Sequence, residues 1–485
     1  MSTFSRQHEL PHLPVPELKD SFRKYLASVR PYLNDDQVSV VEQEIIEALD
    51  DKDMQRRQAD LKSLALKEDS WLSDLWFKGC YLSWRAALPI NSNVTGYLFG
   101  EYRKKWDQCY SAAAVTRGAL QYHLDLQAGR VPINMNNKDS PLCMDQYTRM
   151  FGFTRIPGQV VDTVQKHDDS KHIVVIAGQR QYVVLVLDEK NLIINSLQST
   201  LSAILLDSAS RCKETNPVSV LTGTDRTEWF TTRQSMLNDA QNARCLELIE
   251  SSLFVVSLED GIDITDEECA TSCFHGNGRT TWFDKSFQLK FKQDGNCSIH
   301  IEHSWADAPT PLDMFFNHAL PYAESLDESQ GKATPETVDS DWSLLTWNIS
   351  PELKAKITQA ESDVDTLIAN SDVKLHRCVG LGKAVWKQAR LSPDAAVQMA
   401  IQLAYRRMSG SEEPVATYET IGMTNWLKGR TECCKVVSEE SEAFVRSAMQ
   451  GPVSDHDGLE RLLRAACDSH IAYIVDGQQG RAFDR

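Results

Sequence analysis

The chain has 485 residues, 42% of them hydrophobic and 25% charged, and a formal net charge of −17. A single hydrophobic core usually stops growing at about 250–300 residues, so two domains are expected. The acidic balance argues against a nucleic-acid binder or a protein docked on anionic lipid, and any phosphate-bearing ligand needs a local basic patch.

Taken from the N-terminus, Leu10-Pro-His-Leu-Pro-Val-Pro16 is a proline-containing lead-in to a helical region. Apolar residues recur at helical spacing over Leu18 to Leu33, and Asp35 is placed as the N-cap of a helix over Val38 to Leu49. Helix-like segments follow from Ser70 to Arg85 and from Gly100 to Ala128. Strand signals begin at His172, where Ile-Val-Val-Ile-Ala, a glycine turn and Tyr182-Val-Val-Leu-Val-Leu187 predict a hairpin. A second hairpin is predicted farther on. Phe287, Leu289 and Phe291 alternate with Gln288, Lys290 and Lys292; Asp294-Gly295 marks the turn; and Cys297, Ile299 and Ile301 alternate with Ser298, His300 and Glu302. The same period puts His303 on the isoleucine face. From Ala323 to Asp341 the chain becomes acidic and rich in Ser, Thr and Pro, as a surface connection would be, and a helix follows over Pro393 to Met408.

Twelve cysteines at scattered positions, with no CxxC pair, read as reduced thiols rather than a disulfide frame or zinc site. No stretch reaches the ~18 apolar residues needed to cross a bilayer, so no transmembrane segment is expected. No transit peptide is legible at the N-terminus, and Ala482-Phe-Asp-Arg485 is not a peroxisomal signal.

An inward-facing histidine at the end of a strand is by itself more often a hydrogen-bonded core residue than a catalyst. The setting of His303 points the other way, because Asp307 follows four residues on, where it can support an imidazole that moves a proton. His300, on the opposite face of the strand, is given a bland, half-exposed role. Lys383 and Lys387, four residues apart before Ser392-Pro-Asp394, are either a solvated lysine face or a cation pair facing a phosphate.

Trp282-Phe-Asp-Lys-Ser286 and Glu302-His-Ser-Trp-Ala-Asp-Ala-Pro309 resemble the catalytic signature of the choline/carnitine acyltransferases, in the form carried by the palmitoyl-transferring members. Thr154-Arg-Ile-Pro-Gly158, Leu391-Ser-Pro-Asp-Ala395, Ala416-Thr-Tyr-Glu419 and Gly429-Arg-Thr-Glu432 extend the resemblance along the chain in matching order. The opening Leu10 to Leu18 is most similar to the matrix-side palmitoyl-transferring branch.

The resemblance implies an α/β fold of two similar domains, each a mixed sheet flanked by helices, with an active-site tunnel between them. It places the catalytic half at 68–345 and builds the other half from 1–67 and 346–485. It also implies a C-terminal truncation, because relatives continue past Arg485 through a Ser-Thr-Ser element that this chain lacks. The substrates implied are acyl-CoA and carnitine, with no cofactor and no metal. His303 is the implied general base and Asp307 its support; Lys383, Lys387, Ser392 and Asp394 are the coenzyme A contacts. Tyr418, Thr431 and Arg485 are the implied contacts of the carnitine carboxylate, with Trp76 and Tyr81 as an aromatic pair near the substrate. The expected location is mitochondrial, otherwise cytoplasmic or peroxisomal, with peripheral membrane association possible. Two readings stay open at this point: a long-chain carnitine acyltransferase, and an inactive truncated relative that binds acyl-CoA or regulates a full-length partner.

Overall fold

The apolar runs in the middle of the chain become a sheet in the computed structural model, which describes residues 2–211, 216–326, 341–450 and 455–484. Two compact units are present: Met1–Ser5 with Phe77–Ile133 and Met144–Leu375, and Arg6–Trp76 with Asn134–Cys143 and His376–Arg485.

The first unit carries a hairpin of its own and a seven-stranded mixed sheet. Its strands are β1 (Val94–Tyr97), β2 (Phe153–Ile156), β3 (Thr163–Lys166), β4 (His172–Ala177), β5 (Arg180–Leu185), β6 (Val255–Leu258), β7 (Phe287–Phe291), β8 (Cys297–Ile301) and β9 (Trp342–Leu344). The order in the large sheet is β1-β8-β7-β6-β4-β5-β9, while β2 and β3 pair separately. β6 runs parallel to both β4 and β7; the remaining pairs are antiparallel. Both expected hairpins form. The β4–β5 turn is made by Gly178 and Gln179, each at positive φ (53° and 67°), which suits the right-handed twist of the flanking strands. In the β7–β8 turn Gly295 has φ 76°, and a Cβ there would lie 2.4 Å from the Trp106 carbonyl oxygen, so only glycine fits.

A buried parallel strand must be apolar on both faces, and β4 is. Ile173, Val175 and Ala177 enter one core, which also takes the small-residue face of helix Gln108–Gln127. Val174 and Ile176 enter the other, with Trp229, Ile249, Ile357 and Val364 from helices Arg226–Leu237, Ala240–Glu250 and Pro351–Ala369. The result is the expected mixed sheet flanked by helices.

The second unit contains β10 (Tyr418–Gly422) antiparallel to β11 (Thr431–Lys435), and helices Leu18–Val29, Asp35–Asp50, Lys52–Ala65, Lys383–Gln388, Pro393–Ser409, Glu439–Met449 and His456–Gln478. Helix Pro393–Ser409 has Ser392 as N-cap, proline in its first turn, and Gly410 at φ 66° as its stop.

Several sequence expectations are corrected. The N-cap of the second helix is Asn34, in a capping box with Gln37, so Asp35 is already inside the helix. The segment Ser70–Arg85 is not one helix: a short turn Ser73–Trp76 passes into a wide π-type turn, Phe77–Leu82, that ends before Ser83. The segment Gly100–Ala128 opens with a single 3-10 turn, Gly100–Tyr102, and is α-helical only from Gln108, because Asp107 accepts from the Tyr110 amide and starts the helix there. Gln288 and Lys290, which alternate with the apolar residues of β7, are themselves buried. Both are hydrogen-bonded, Gln288 to the Thr280 carbonyl and Lys290 to that of Ser272, which makes a covered polar face tolerable. The proposed connection at Ala323–Asp341 lies largely outside the described residues.

One buried amine shows this rule under load. Lys285 is fully enclosed, donates to the Glu250 carbonyl (2.7 Å), and is pushed down to about 7 by burial. Between that value and 10.5 the folded protein holds fewer protons on this side chain than the unfolded chain does, so stability rises with pH across that window. The expected rise is on the order of 2 kcal/mol between pH 7 and 9. Urea unfolding at the two pH values should show it in the parent, and Lys285→Met should flatten it.

Candidate active site

The site is built on the end of β8. The strand stops at Ile301, and the next residues alternate between buried anchors and one partly exposed ring. Glu302 is sealed from solvent: its amide donates to the Ser286 carbonyl (3.1 Å), and its carboxylate accepts from the Ser304 amide (3.1 Å), the Ser304 hydroxyl (2.5 Å) and Arg155 Nη1 (3.2 Å). Trp305 donates from Nε1 to the Ser286 carbonyl (2.8 Å). His303 sits between these anchors with 27% of its side chain exposed. Its ring stands edge-on to Tyr81 (centroids 5.2 Å apart, 73°), and its Nε2 is 3.8 Å from Asp307 Oδ1. That separation is an electrostatic contact rather than a hydrogen bond.

The floor of the site is a buried ionic network. Arg155 donates to Asp162 (2.7 Å), to the carbonyls of Tyr81 (2.6 Å) and Trp84 (3.4 Å), and to Glu302. Arg226 donates to the same oxygen of Asp162 (2.7 Å) and to Asp284 (2.6 Å), and Arg85 reaches the other oxygen of Asp162 (2.7 Å). Burial disfavours the Asp162 anion, yet Arg226 and Arg155 outweigh it and hold its carboxyl below the usual carboxylate range. Burying so many charges is tolerable only because each has partners.

The structure thus brings His303, Asp307 and Tyr81 together in the first unit. His300 is corrected: it is buried, not half-exposed, with its ring between Asn93 Nδ2 (3.0 Å) and the Cys273 carbonyl (3.2 Å), and burial pushes it down to about 3. It is a satisfied core histidine because β8 is covered on that face as well.

The other candidates belong to the second unit. Trp76 is half-buried there, one residue before the first unit resumes. Lys383 and Lys387 lie exposed on one short helix, Lys383–Gln388. Ser392 caps the next helix by accepting from the Ala395 amide (3.3 Å). Asp394, in its first turn, is 3.4 Å from His470 Nε2, and Glu419 approaches the same nitrogen at 3.1 Å. Burial, with Asp394 beside it, pushes Glu419 up to about 7. Tyr418, largely exposed, pairs with Lys435, and buried Thr431 pairs with Gly422, so the two stand at opposite ends of the β10–β11 ladder. Arg485 lies outside the described residues.

Sequence reasoning missed Gln146, Asp162, Arg226 and the role of Arg155. Arg155 stood in view inside Thr154-Arg-Ile-Pro-Gly158: an arginine between β-branched residues in a strand signals a buried charge that must be paired.

The model for the family described as Choline/Carnitine o-acyltransferase matches residues 13–485. Carnitine O-acetyltransferase of Columba livia is 30% identical over 99% of this chain and 78% of its own length. Carnitine O-palmitoyltransferase 2, mitochondrial, of Rattus norvegicus is 30% identical over 100% of this chain and 78% of its own. Carnitine O-palmitoyltransferase 1, liver isoform, of Homo sapiens is 31% identical over 99% and 64%. The chain therefore belongs to the choline/carnitine O-acyltransferase family, and is a transferase by class. Similarity is spread evenly over acetyl- and palmitoyl-transferring relatives. Among the described residues no helix is long and apolar enough to cross a membrane.

Because Arg155 holds Asp162, Glu302 and the Tyr81 carbonyl at once, its loss takes the arginine from buried Glu302 and one of three arginines from buried Asp162. Arg155→Met should destabilise the protein by about 3–5 kcal/mol. Arg155→Lys should recover only a minor part, since one ammonium cannot span the three directions of the guanidinium. Urea unfolding of the three proteins measures both.

Proposed function

We propose that this chain is a carnitine O-acyltransferase that moves a long-chain fatty acyl group between coenzyme A and carnitine, with His303 as general base. The observation that supports this best is the His303–Asp307 pair: a partly exposed imidazole on a turn tied by the buried Glu302–Ser304 hydrogen bonds, with a carboxylate 3.8 Å from one ring nitrogen. An imidazole so placed can take a proton at neutral pH and return it.

In this reading His303 removes the proton of the carnitine 3-hydroxyl, and the oxygen attacks the thioester carbonyl carbon. The tetrahedral adduct collapses with cleavage of the carbon–sulfur bond, and the thiolate of coenzyme A takes the proton back from the imidazolium. Asp307 stabilises that imidazolium. Lys383 and Lys387 meet the 3′-phosphate of coenzyme A, with Ser392 and Asp394 nearby in sequence, and the cation pair supplies what a chain of net charge −17 otherwise lacks. Tyr418, Thr431 and Arg485 serve the carnitine carboxylate, and Trp76 and Tyr81 supply aromatic surface near the substrate. No further cofactor enters these steps. The palmitoyl-type form of the block from Trp305 to Asp307 supports a long acyl chain, and the similar rat palmitoyltransferase, mitochondrial by name, supports that compartment.

His303→Ala should lower kcat by at least ~100-fold while the KM for acyl-CoA stays nearly constant, since a general base acts on proton transfer more than on ground-state binding. Steady-state kinetics with palmitoyl-CoA and carnitine decide it, and near-parental turnover in the variant would remove His303 from the role.

Replacing Lys383 and Lys387 together by Ala should raise the KM for acyl-CoA several-fold, by about 1–2 kcal/mol of lost charge-assisted contact. The dephospho-coenzyme A thioester should be affected far less. An equal loss with both thioesters would move the phosphate site elsewhere.

A further inference from the structure

Asp307 lies outside regular structure, between β8 and the helix that begins at Pro309, where a short carboxylate has several rotamers open to it. It is nevertheless held in one orientation. The carboxamide of Gln146, 4% exposed in the turn Asp145–Arg149, donates from Nε2 to Asp307 Oδ2 (3.0 Å) and accepts through Oε1 from the Asp307 amide (2.9 Å). The same Oε1 accepts from the Thr310 hydroxyl (3.1 Å). One neutral group therefore grips both the side chain and the backbone of Asp307, and the oxygen it does not take is the one that faces His303.

The chemistry of this position is narrow. A carboxylate in place of the amide would set a like charge against Asp307, and an apolar side chain would leave the Asp307 amide and the Thr310 hydroxyl without their acceptor. A carboxamide is uncharged and both donates and accepts, from two separate atoms on one planar group.

We infer that Gln146 is a positioning residue for the proposed acyl transfer, fixing the Asp307 carboxylate so that one oxygen is presented to the His303 imidazole. The inference rests on the reading of His303 as the base supported by Asp307. Gln146 touches neither substrate nor the transferred proton; it acts through Asp307.

The test is a double-mutant cycle in the full chain with Gln146→Met, which is close in size and cannot hydrogen-bond in the same way, and Asp307→Asn. Kinetics use palmitoyl-CoA and carnitine, and NMR follows the titration of the His303 ring in the same proteins. Gln146→Met is expected to lower kcat about 10-fold with both KM values within about two-fold, and to lower the His303 titration midpoint as the anion drifts from the ring. Asp307→Asn is expected to do the same at least as strongly, and the double variant to be no worse than Asp307→Asn alone. Gln146→Glu keeps both accepted hydrogen bonds, and with them the turn, and is expected to lose kcat as Gln146→Met does. If Gln146→Met costs the same factor in the Asp307→Asn background, or leaves the His303 midpoint unmoved, Gln146 is structural only and the inference falls. If Asp307→Asn itself moves neither kcat nor the midpoint, the His303–Asp307 pairing fails instead, and NMR reports that outcome whatever the rate of turnover.

Discussion

The guanidinium of Arg155 is the contact on which the rest of the first unit's site depends. It lies fully buried on β2, outside the large sheet, and joins three pieces of chain that are far apart in sequence: the wide turn that ends at Leu82, the loop carrying Asp162, and the residue that follows β8. Ion pairs this deep add little net stability over a well-packed apolar core, because desolvation offsets the attraction. What they add is direction. Five N–H donors in a fixed plane can be satisfied only by acceptors in particular places, so the Tyr81 carbonyl and the carboxylates of Asp162 and Glu302 are held in one arrangement.

That arrangement explains how a histidine outside any strand can be well placed. His303 has buried residues on both sides, Glu302 and Ser304, and the hydrogen bonds between them close a tight turn whose outward position is the imidazole. Tyr81, carried by the turn that Arg155 grips, packs against one edge of the ring. The ring is thus set by neighbours that are themselves immobilised, which suits the general-base role proposed for it. Asp307 is held by a second, smaller device, the buried carboxamide of Gln146.

How much of this was legible follows from the range of each signal. The β4–β5 and β7–β8 hairpins were readable because alternation, β-branched content and a glycine turn all act within a dozen residues. Asp307 was readable as the partner of His303 because the two lie four residues apart. The helix expected over Ser70–Arg85 failed because apolar spacing there serves a wide turn rather than a regular face. The start of helix Gln108–Gln127 was missed because a single capping carboxylate, Asp107, outweighed the apolar periodicity before it. His300 was misjudged for another reason: alternation reports which residues share a face, not whether that face is wet.

By itself the sequence determined the family, the α/β class, the order of the central hairpins and the pairing of His303 with Asp307, since each is carried by contiguous motifs or short spacings. The tertiary structure alone decided that both faces of β7 and β8 are covered, that His300 is a core residue, and that Arg155, Asp162, Arg226 and Glu302 form one buried network. It also decided which carboxamide holds Asp307. Apart from Arg155–Asp162, seven positions apart, these are contacts between residues tens to more than a hundred positions apart. No local periodicity encodes them, and they exist only once the chain has closed around charges that water no longer reaches.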